Sequence, residues 1–180
     1  MLYSDFVKYC KHFIKISNTI NDGWALKSYE DNVYLTKTTT EVIFHEEESP
    51  DELDLQSAVA TSDIRKWEYH VVFSISFQVP VLYFNVYKSN GELLSLDELW
   101  SSVHPNFQNS VNKNKWYTLT QQEHPYLHRP FFYFHPCETS AFMDCFKSDC
   151  NKLITWLSSI GQIIRLELDE SYGQLCSISD

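Results

Sequence analysis

The sequence predicts an α+β fold built around an antiparallel sheet. Three observations predict it: a helical pattern opens the chain, a meander of strand-like segments fills its middle, and a second helical pattern follows near the end. The chain has 180 residues, enough for one domain with its own hydrophobic core. We therefore expect residues 1–180 to form a single domain.

The first helix is predicted from apolar residues that recur at spacings of three and four. These residues are Phe6, Val7, Tyr9, Cys10, Phe13, Ile14 and Ile20. Ser4 is a candidate N-cap, and the sequence Asn21-Asp22-Gly23 predicts the end of the helix.

Short strands are predicted over residues 24–29, 33–38 and 41–45. The composition then becomes acidic, beginning with three consecutive glutamates at Glu46. We expect residues 46–63 to form a flexible, exposed loop.

The clearest strand covers residues 67–78, where large apolar side chains alternate with mostly polar ones. Alternation with a period of two predicts one buried face and one solvated face. A second strand is predicted over residues 79–88, with Pro80 near its start. Asn90-Gly91 then indicates a turn.

A short helix is predicted to run from Ser95 through Val103, because Ser95 and Glu98 match a capping box. A strand is expected over residues 116–120. An irregular connector is expected over residues 121–129, which carry two histidines and a proline.

The last third of the chain contains an apolar run over residues 130–134, a turn at Cys137 and a helical pattern over residues 142–160. Gly161 is placed to end that helix. Residues 171–180 are expected to form a loose tail.

The composition excludes several functional classes. The net charge of −10 disfavours nucleic acid and anionic membranes as partners, and only 4 glycines argue against a glycine-rich phosphate-binding fold. No apolar segment approaches the length of a membrane span, and no secretory signal precedes the 5 cysteines. A reduced, cytoplasmic protein is expected, and the spacing of cysteine and histidine predicts neither a metal site nor a cofactor.

Cys137 is the candidate functional residue, because it follows an apolar run and Pro136 just ahead of a helical pattern. Amide groups and the dipole at a helix start favour a thiolate, although Glu138 opposes that effect. Three interpretations are open: a nucleophile that carries an acyl group as a thioester, a cysteine hydrolase, and a buried structural thiol. A thioester carrier needs the least, namely an exposed thiol and a polar group that stabilises the oxyanion.

The sequence around Cys137 and several segments in order along the chain carry a family resemblance. The residues are His135-Pro136-Cys137 together with segments 13–15, 69–72, 78–84, 120–125, 130–132 and 156–158. In these residues the chain resembles the autophagy E2-like conjugating enzymes over nearly its whole length.

The resemblance implies an E2-like fold, with an N-terminal helix, a curved antiparallel sheet and a catalytic cysteine ahead of a C-terminal helix. It implies that Cys137 receives the ubiquitin-like autophagy-related protein twelve from the E1-like autophagy-related protein seven and holds it as a glycyl thioester. The acceptor would be a lysine of autophagy-related protein five. The alternatives are a non-catalytic E2-like binding module and a cysteine hydrolase.

Ordinary ubiquitin E2 enzymes carry a His-Pro-Asn shortly before the cysteine, and its asparagine helps to position the oxyanion. Here the His-Pro-Asn of residues 104–106 lies far upstream, so we interpret it as coincidental. Another polar group must then stabilise the oxyanion, and the candidates are Thr118, Thr120, Tyr34 and His135. His135 has a structural alternative, in which its ring hydrogen-bonds the turn. Strand edges and residues 79–87 are the predicted docking surfaces for partner proteins.

Overall fold

A computed structural model describes residues 1–45, 61–102, 119–146 and 149–177. The helices are α1 (Tyr3–Ile20), α2 (Leu96–Ser102), α3 (Thr139–Asp144), α4 (Lys152–Gly161) and α5 (Glu170–Gln174). The strands are β1 (Ala25–Tyr29), β2 (Asn32–His45), β3 (Thr61–Ser74), β4 (Val79–Tyr87), β5 (Leu119–Glu123) and β6 (Pro130–Phe134). Single-turn 3₁₀ helices cover Pro136–Glu138 and Gln162–Ile164.

Among the described residues, the strands pair antiparallel in one sheet with the order β1-β2-β3-β4-β6-β5. The predicted α+β class with an antiparallel sheet is confirmed. β4 lies inside the sheet, because it pairs with β3 along its length and with β6 at Tyr83 and Phe84. Residues 79–87 are therefore not an edge strand of the sheet, and their role as a docking surface stays a prediction. Eight of the nine β4 residues are buried, so its apolar sequence reflects packing on both faces.

The inner face of the sheet packs against α1 and α4 and forms the main core. Trp67, Tyr69, Val71 and Phe73 alternate along β3 and are all buried on this face. The Phe73 ring lies 5.4 Å from that of Phe6 on α1. Burial of each such side chain stabilises the fold by roughly 1.5–3 kcal/mol.

The outer face of the sheet carries a second, smaller core, which we call the outer aromatic cluster. Its buried members are Tyr34, Val72, Val81, Tyr83 and Phe131, and Tyr126 and Tyr133 are partly buried against them. The predicted solvated face of β3 is therefore wrong at its centre. His70 and Val72 are only 5% and 2% exposed, because residues distant in sequence cover them.

The strand boundaries differ from the predictions at two places in the first half. Residues 33–45 belong to one strand rather than two, because β2 pairs with β3 continuously from Tyr34 to His45. β3 begins at Thr61, so the predicted loop over residues 46–63 is wrong at its end, and residues 46–60 lie outside the described part of the chain.

The predicted strand over residues 67–78 is too long. β3 ends at Ser74, and residues 75–78 form the turn into β4. Ile75 and Phe77 continue the alternation in sequence but are 76% and 45% exposed. Gln78 has a positive φ of 53°, a conformation typical of tight turns rather than of strands.

Two further differences concern β5 and β6. β5 extends to Glu123, so the predicted irregular connector over residues 121–129 is wrong at its start, and residues 116–118 lie outside the described ranges. The apolar run over residues 130–134 is β6, which lies between β4 and β5. The sequence does not predict a strand there, because Phe131 and Phe132 are both fully buried and the run shows no alternation.

The predicted helix over residues 142–160 is two helices. α3 begins at Thr139 and ends at Asp144, and α4 starts anew at Lys152 with Asn151 as its N-cap. Asn151 is fully buried and accepts a hydrogen bond from the Leu153 N–H at 3.0 Å.

The helical path also continues beyond Gly161, through the second 3₁₀ helix, to Arg165 in the left-handed conformation. The predicted loose tail over residues 171–180 is wrong for its first part. Tyr172 in α5 is 1% exposed and donates a hydrogen bond to Asp22 at 3.0 Å. In the described ranges, we find no helix with the length and apolar character needed to cross a membrane.

Candidate active site at Cys137

Cys137 lies at the centre of the turn that joins β6 to α3. His135 is the N-cap of the 3₁₀ helix Pro136–Glu138, and Pro136 fills its first position, where no amide donor is required. Pro136 is buried, whereas the Cys137 side chain is exposed. The chain therefore anchors the turn through the proline and presents the thiol to solvent.

His135 supports the turn directly. Its Nδ1 atom accepts a hydrogen bond from the Cys137 backbone N–H at 3.2 Å. A nitrogen that accepts carries no proton, so neutral His135 has its proton on Nε2. A hydrogen bond from the turn to the His135 ring is what we expect if His135 has a structural role.

Aromatic side chains surround the His135 ring. Phe77, in the turn between β3 and β4, meets it edge-on with centroids 5.5 Å apart. Tyr133 of β6 lies 6.2 Å from it on another side and stacks on Tyr83 at 5.6 Å. A continuous row of rings thus joins the turn of Cys137 to the outer aromatic cluster.

Tyr34 lies in that cluster rather than beside the thiol. Its ring packs against His70, His124 and Tyr126, with centroids 5.4–5.9 Å away. Burial, and then the negative charge of Glu68, raise the pKa of Tyr34, so its hydroxyl is protonated at neutral pH. Among the described contacts, none joins Tyr34 to His135 or Cys137.

Of the two threonine candidates, Thr120 lies within the described residues and Thr118 does not. Thr120 on β5 lies directly opposite Tyr133 in the β5–β6 register, so the two share a face of the sheet. Thr118 and the His-Pro-Asn of residues 104–106 lie outside the described residues. Of the three candidate helpers within the described residues, His135 is the one with a hydrogen bond to Cys137.

A buried polar network beneath the outer aromatic cluster was not predicted from the sequence. His124 and His70 are 0% and 5% exposed, and His124 Nε2 lies 3.0 Å from His70 Nδ1. His124 Nδ1 accepts hydrogen bonds from the backbone N–H groups of Tyr126 and Leu127, each at 3.2 Å. His124 therefore holds its proton on Nε2 and donates it to His70.

Glu68 ends this chain of hydrogen bonds. Its Oε1 atom lies 3.3 Å from His70 Nε2 and 2.6 Å from Arg129 Nη2, and the Tyr87 hydroxyl donates to its Oε2 atom at 3.1 Å. Burial disfavours the charge of Glu68, but these donors hold its pKa well below the usual range. Hydrogen bonds and ion pairs of this network link β3, β4 and the loop between β5 and β6.

The other thiols have different surroundings. Cys10 is fully buried, and burial raises its pKa. Cys145 is exposed, and its S–H donates to the Ala141 carbonyl at 3.4 Å. Cys150 and Cys176 contact each other. In the described ranges, no group of three or more His, Cys, Asp or Glu side chains is arranged to hold a metal ion.

Comparison with known proteins gives a consistent set of similarities. A family model described as autophagocytosis associated protein, active-site domain, matches residues 5–171. The ubiquitin-like-conjugating enzyme ATG10 of Homo sapiens is 34% identical over 202 residues, which cover 96% of this chain and 92% of that protein. The protein of the same name from Arabidopsis thaliana is 38% identical over 112 residues, which cover 57% of this chain and 50% of the relative.

A solved structure is also similar to this chain. It is described as the crystal structure of autophagic E2, Atg10, and it superposes with a TM-score of 0.56. The superposition covers 93% of this chain and 98% of that one at 16% sequence identity. At this identity the similarity concerns the fold.

Proposed function

Because the chain belongs to the family described as autophagocytosis associated protein, active-site domain, we propose that Cys137 carries a ubiquitin-like protein as a glycyl thioester. The predicted family, the E2-like fold and the class of ubiquitin-like protein transferase are confirmed. The role of Cys137, the identity of the partners and a cytoplasmic site of action are parts of the proposal. So is the expectation that residues 1–180 form one domain.

The exposure of Cys137 in a fixed turn is the observation that carries the proposal. A transferring thiol must reach a thioester on one protein and then a lysine on another, so both partners need access to its sulfur. Cys10 is buried, and Cys150 and Cys176 face each other. Cys137 and Cys145 are the exposed thiols, and Cys137 follows the His-Pro sequence on which the family resemblance rests.

The chemistry consists of two exchanges. The Cys137 thiolate attacks the thioester carbonyl on the E1-like enzyme, the new C–S bond forms, and the E1 thiolate leaves. A deprotonated lysine amine of the acceptor then attacks the same carbonyl, an isopeptide bond forms, the nitrogen loses one proton to solvent, and the Cys137 thiolate leaves. The carbonyl oxygen is negatively charged in each tetrahedral intermediate, and a hydrogen-bond donor near Cys137 would stabilise it.

His135, Thr118 and Tyr34 are proposed as helpers with different roles. His135 accepts from the Cys137 N–H and has its own N–H on Nε2, so it positions the turn and holds a donor nearby. Tyr34 would act from within the outer aromatic cluster, as a protonated hydroxyl. The partners we propose are the E1-like autophagy-related protein seven, the ubiquitin-like protein twelve and the acceptor protein five.

A single-turnover reaction with the E1-like enzyme, the ubiquitin-like protein and ATP tests the proposal. The wild-type chain should form an adduct that reductant cleaves, and Cys137→Ser should form an ester that reductant leaves intact. Cys145→Ser is the matched control, because it removes another exposed thiol and should load normally. A non-catalytic module would form no adduct on the wild-type chain. A cysteine hydrolase would release free ubiquitin-like protein, and its Cys137→Ser variant would form no adduct.

Discharge of the loaded enzyme separates the helpers. After the E1-like enzyme is quenched, the acceptor is added and loss of the thioester is followed with time. Loss of one oxyanion donor is expected to slow discharge by up to about 10²–10³, with loading nearly normal. If Thr118→Ala and Tyr34→Phe both discharge the thioester at the wild-type rate, neither residue is a helper. His135→Ala should also be tested for its free energy of unfolding. If the variant is destabilised by as much free energy as its slower discharge represents, His135 is a structural residue.

A further inference from the structure

Two thiols from separate segments meet on the side of the molecule formed by α4 and α5. Cys150 lies just before α4 and Cys176 lies just after α5. Their sulfur atoms are 2.8 Å apart, and the Cys176 S–H donates to the Cys150 sulfur. Both side chains are partly exposed, so a small reagent can reach them.

The backbone holds the two cysteines in this position. The Asn151 N–H donates to the Cys176 carbonyl at 2.8 Å, and Cys150 and Ser177 form an isolated antiparallel bridge. Asn151 is itself fixed, because it is fully buried and its side-chain amide donates to the Tyr9 carbonyl at 2.9 Å. The pairing of the thiols therefore follows from backbone contacts and from the cap of α4.

We propose that Cys150 and Cys176 are a modification site, at which a low-molecular-weight disulfide such as oxidised glutathione forms a reversible protein disulfide. Sulfur atoms that already touch need to move by less than about 1 Å to reach bonding distance. The bond requires no rearrangement of the segments that carry them, because the neighbouring backbone is already hydrogen-bonded in this arrangement.

The reaction balances in two exchanges. One thiolate attacks a sulfur of the oxidant, which forms a mixed disulfide and releases one small thiol. The second thiolate attacks the protein sulfur of the mixed disulfide, forms the bond between Cys150 and Cys176, and releases the second small thiol. The two cysteines lose two protons and two electrons, and the oxidant is reduced to two thiols.

Oxidation would link the segment after α5 covalently to the segment before α4, which packs on the core. The bond closes a covalent loop that contains α4 and α5, and Tyr172 of α5 packs on Phe13 of α1 with ring centroids 4.5 Å apart. A disulfide that closes a loop of this length restricts the unfolded chain, so the melting temperature should rise by roughly 5–15 °C. Cys137 takes no part in this reaction, so the inference stands apart from the proposed function.

The test uses the full chain with Cys137 and Cys145 replaced by serine, so that buried Cys10 and the pair are the cysteines present. After incubation with oxidised glutathione, tryptic digestion should yield one linked pair of peptides, since Lys152 and Arg165 provide cleavage sites between Cys150 and Cys176. The link should disappear with reductant. The melting temperature should rise on oxidation, and this rise should be absent when Cys176→Ser is added.

One result would overturn the modification site itself, and a second would overturn the inferred effect of the bond on stability. One is the recovery of Cys150 and Cys176 on separate peptides, each bearing glutathione or an unreacted thiol. The other is a linked peptide pair that leaves the melting temperature the same as in the reduced chain, which would show that the C-terminal segment is not fastened by the bond.

Discussion

Acidification is expected to destabilise the fold through His124. This side chain is fully buried, and its Nδ1 atom accepts the backbone N–H groups of Tyr126 and Leu127. A proton on Nδ1 would displace both donors, and the imidazolium would be buried beside His70 and near Arg129. Burial first, and then the charges of His70 and Arg129, lower the pKa of His124 from 6.5 to about 3.

The size of the effect follows from this difference in pKa. Between about pH 6.5 and about pH 3 the unfolded chain binds a proton at His124 that the folded chain does not bind. The stability therefore falls as the pH falls through this window, with a slope of up to about 1.4 kcal/mol per pH unit. From pH 7 to pH 5 the loss is about 2 kcal/mol, because the unfolded group is only partly protonated at the upper end.

Urea denaturation at pH 7, 6 and 5 measures this loss, with His124→Asn as the comparison. The side-chain oxygen of the introduced asparagine would stand where Nδ1 accepts the two backbone donors, but it does not titrate. We expect the variant to be less stable at pH 7 and to lose about 2 kcal/mol less than wild type on acidification. His128→Asn is the matched control, because it makes the same substitution at an exposed histidine of the same loop and leaves the buried His124 ring in place. Equal pH dependence in wild type and His124→Asn would show that protonation of His124 does not cause the loss of stability.

Two further predictions concern packing, and urea denaturation at pH 7 measures the free energy of unfolding for both. Phe73→Ala should lower this free energy by roughly 3–5 kcal/mol, because it opens a cavity in the main core. Ile75→Ala in the exposed turn should lower it by under about 0.5 kcal/mol, and similar losses for the two variants would contradict the boundary of β3. Gly161→Ala should cost roughly 1–3 kcal/mol by overpacking, since a Cβ atom there would lie 2.5 Å from the Leu166 carbonyl oxygen. Gly173→Ala is its control and should be neutral or stabilising by up to about 1 kcal/mol, because a Cβ atom there meets nothing within 4 Å; equal losses would show that the contact at Leu166 relaxes.

The sequence predicted those elements whose pattern is set locally. The alternation over residues 67–73 marks the inner face of β3, and α1 ends at Ile20, just before the Asn21-Asp22-Gly23 sequence that predicts its end. Cys137 was singled out by its position after His-Pro and an apolar run. These signals are short in sequence, so they can be interpreted without knowledge of the tertiary packing.

The features that were missed depend on contacts between distant segments. His70 and His124 are 54 residues apart, and neither local sequence indicates that the two rings meet. The outer aromatic cluster covers a face of β3 that alternation predicts to be solvated. β6 shows no alternation because Phe131 faces the outer cluster and Phe132 faces the main core. Asn151 begins a new helix inside an apolar pattern that is otherwise continuous.

We propose that the ubiquitin-like protein is held on the Cys137 sulfur, and mass-spectrometric mapping of the adduct locates it. The wild-type enzyme is loaded, quenched in acid and digested with pepsin at acid pH, so that a thioester survives to mass spectrometry. We expect a C-terminal fragment of the ubiquitin-like protein on the peptide that contains Cys137, and we expect reductant to release it. A fragment on the Cys145 peptide, or a reductant-stable fragment on a lysine, with none on Cys137, would show that Cys137 does not carry the ubiquitin-like protein.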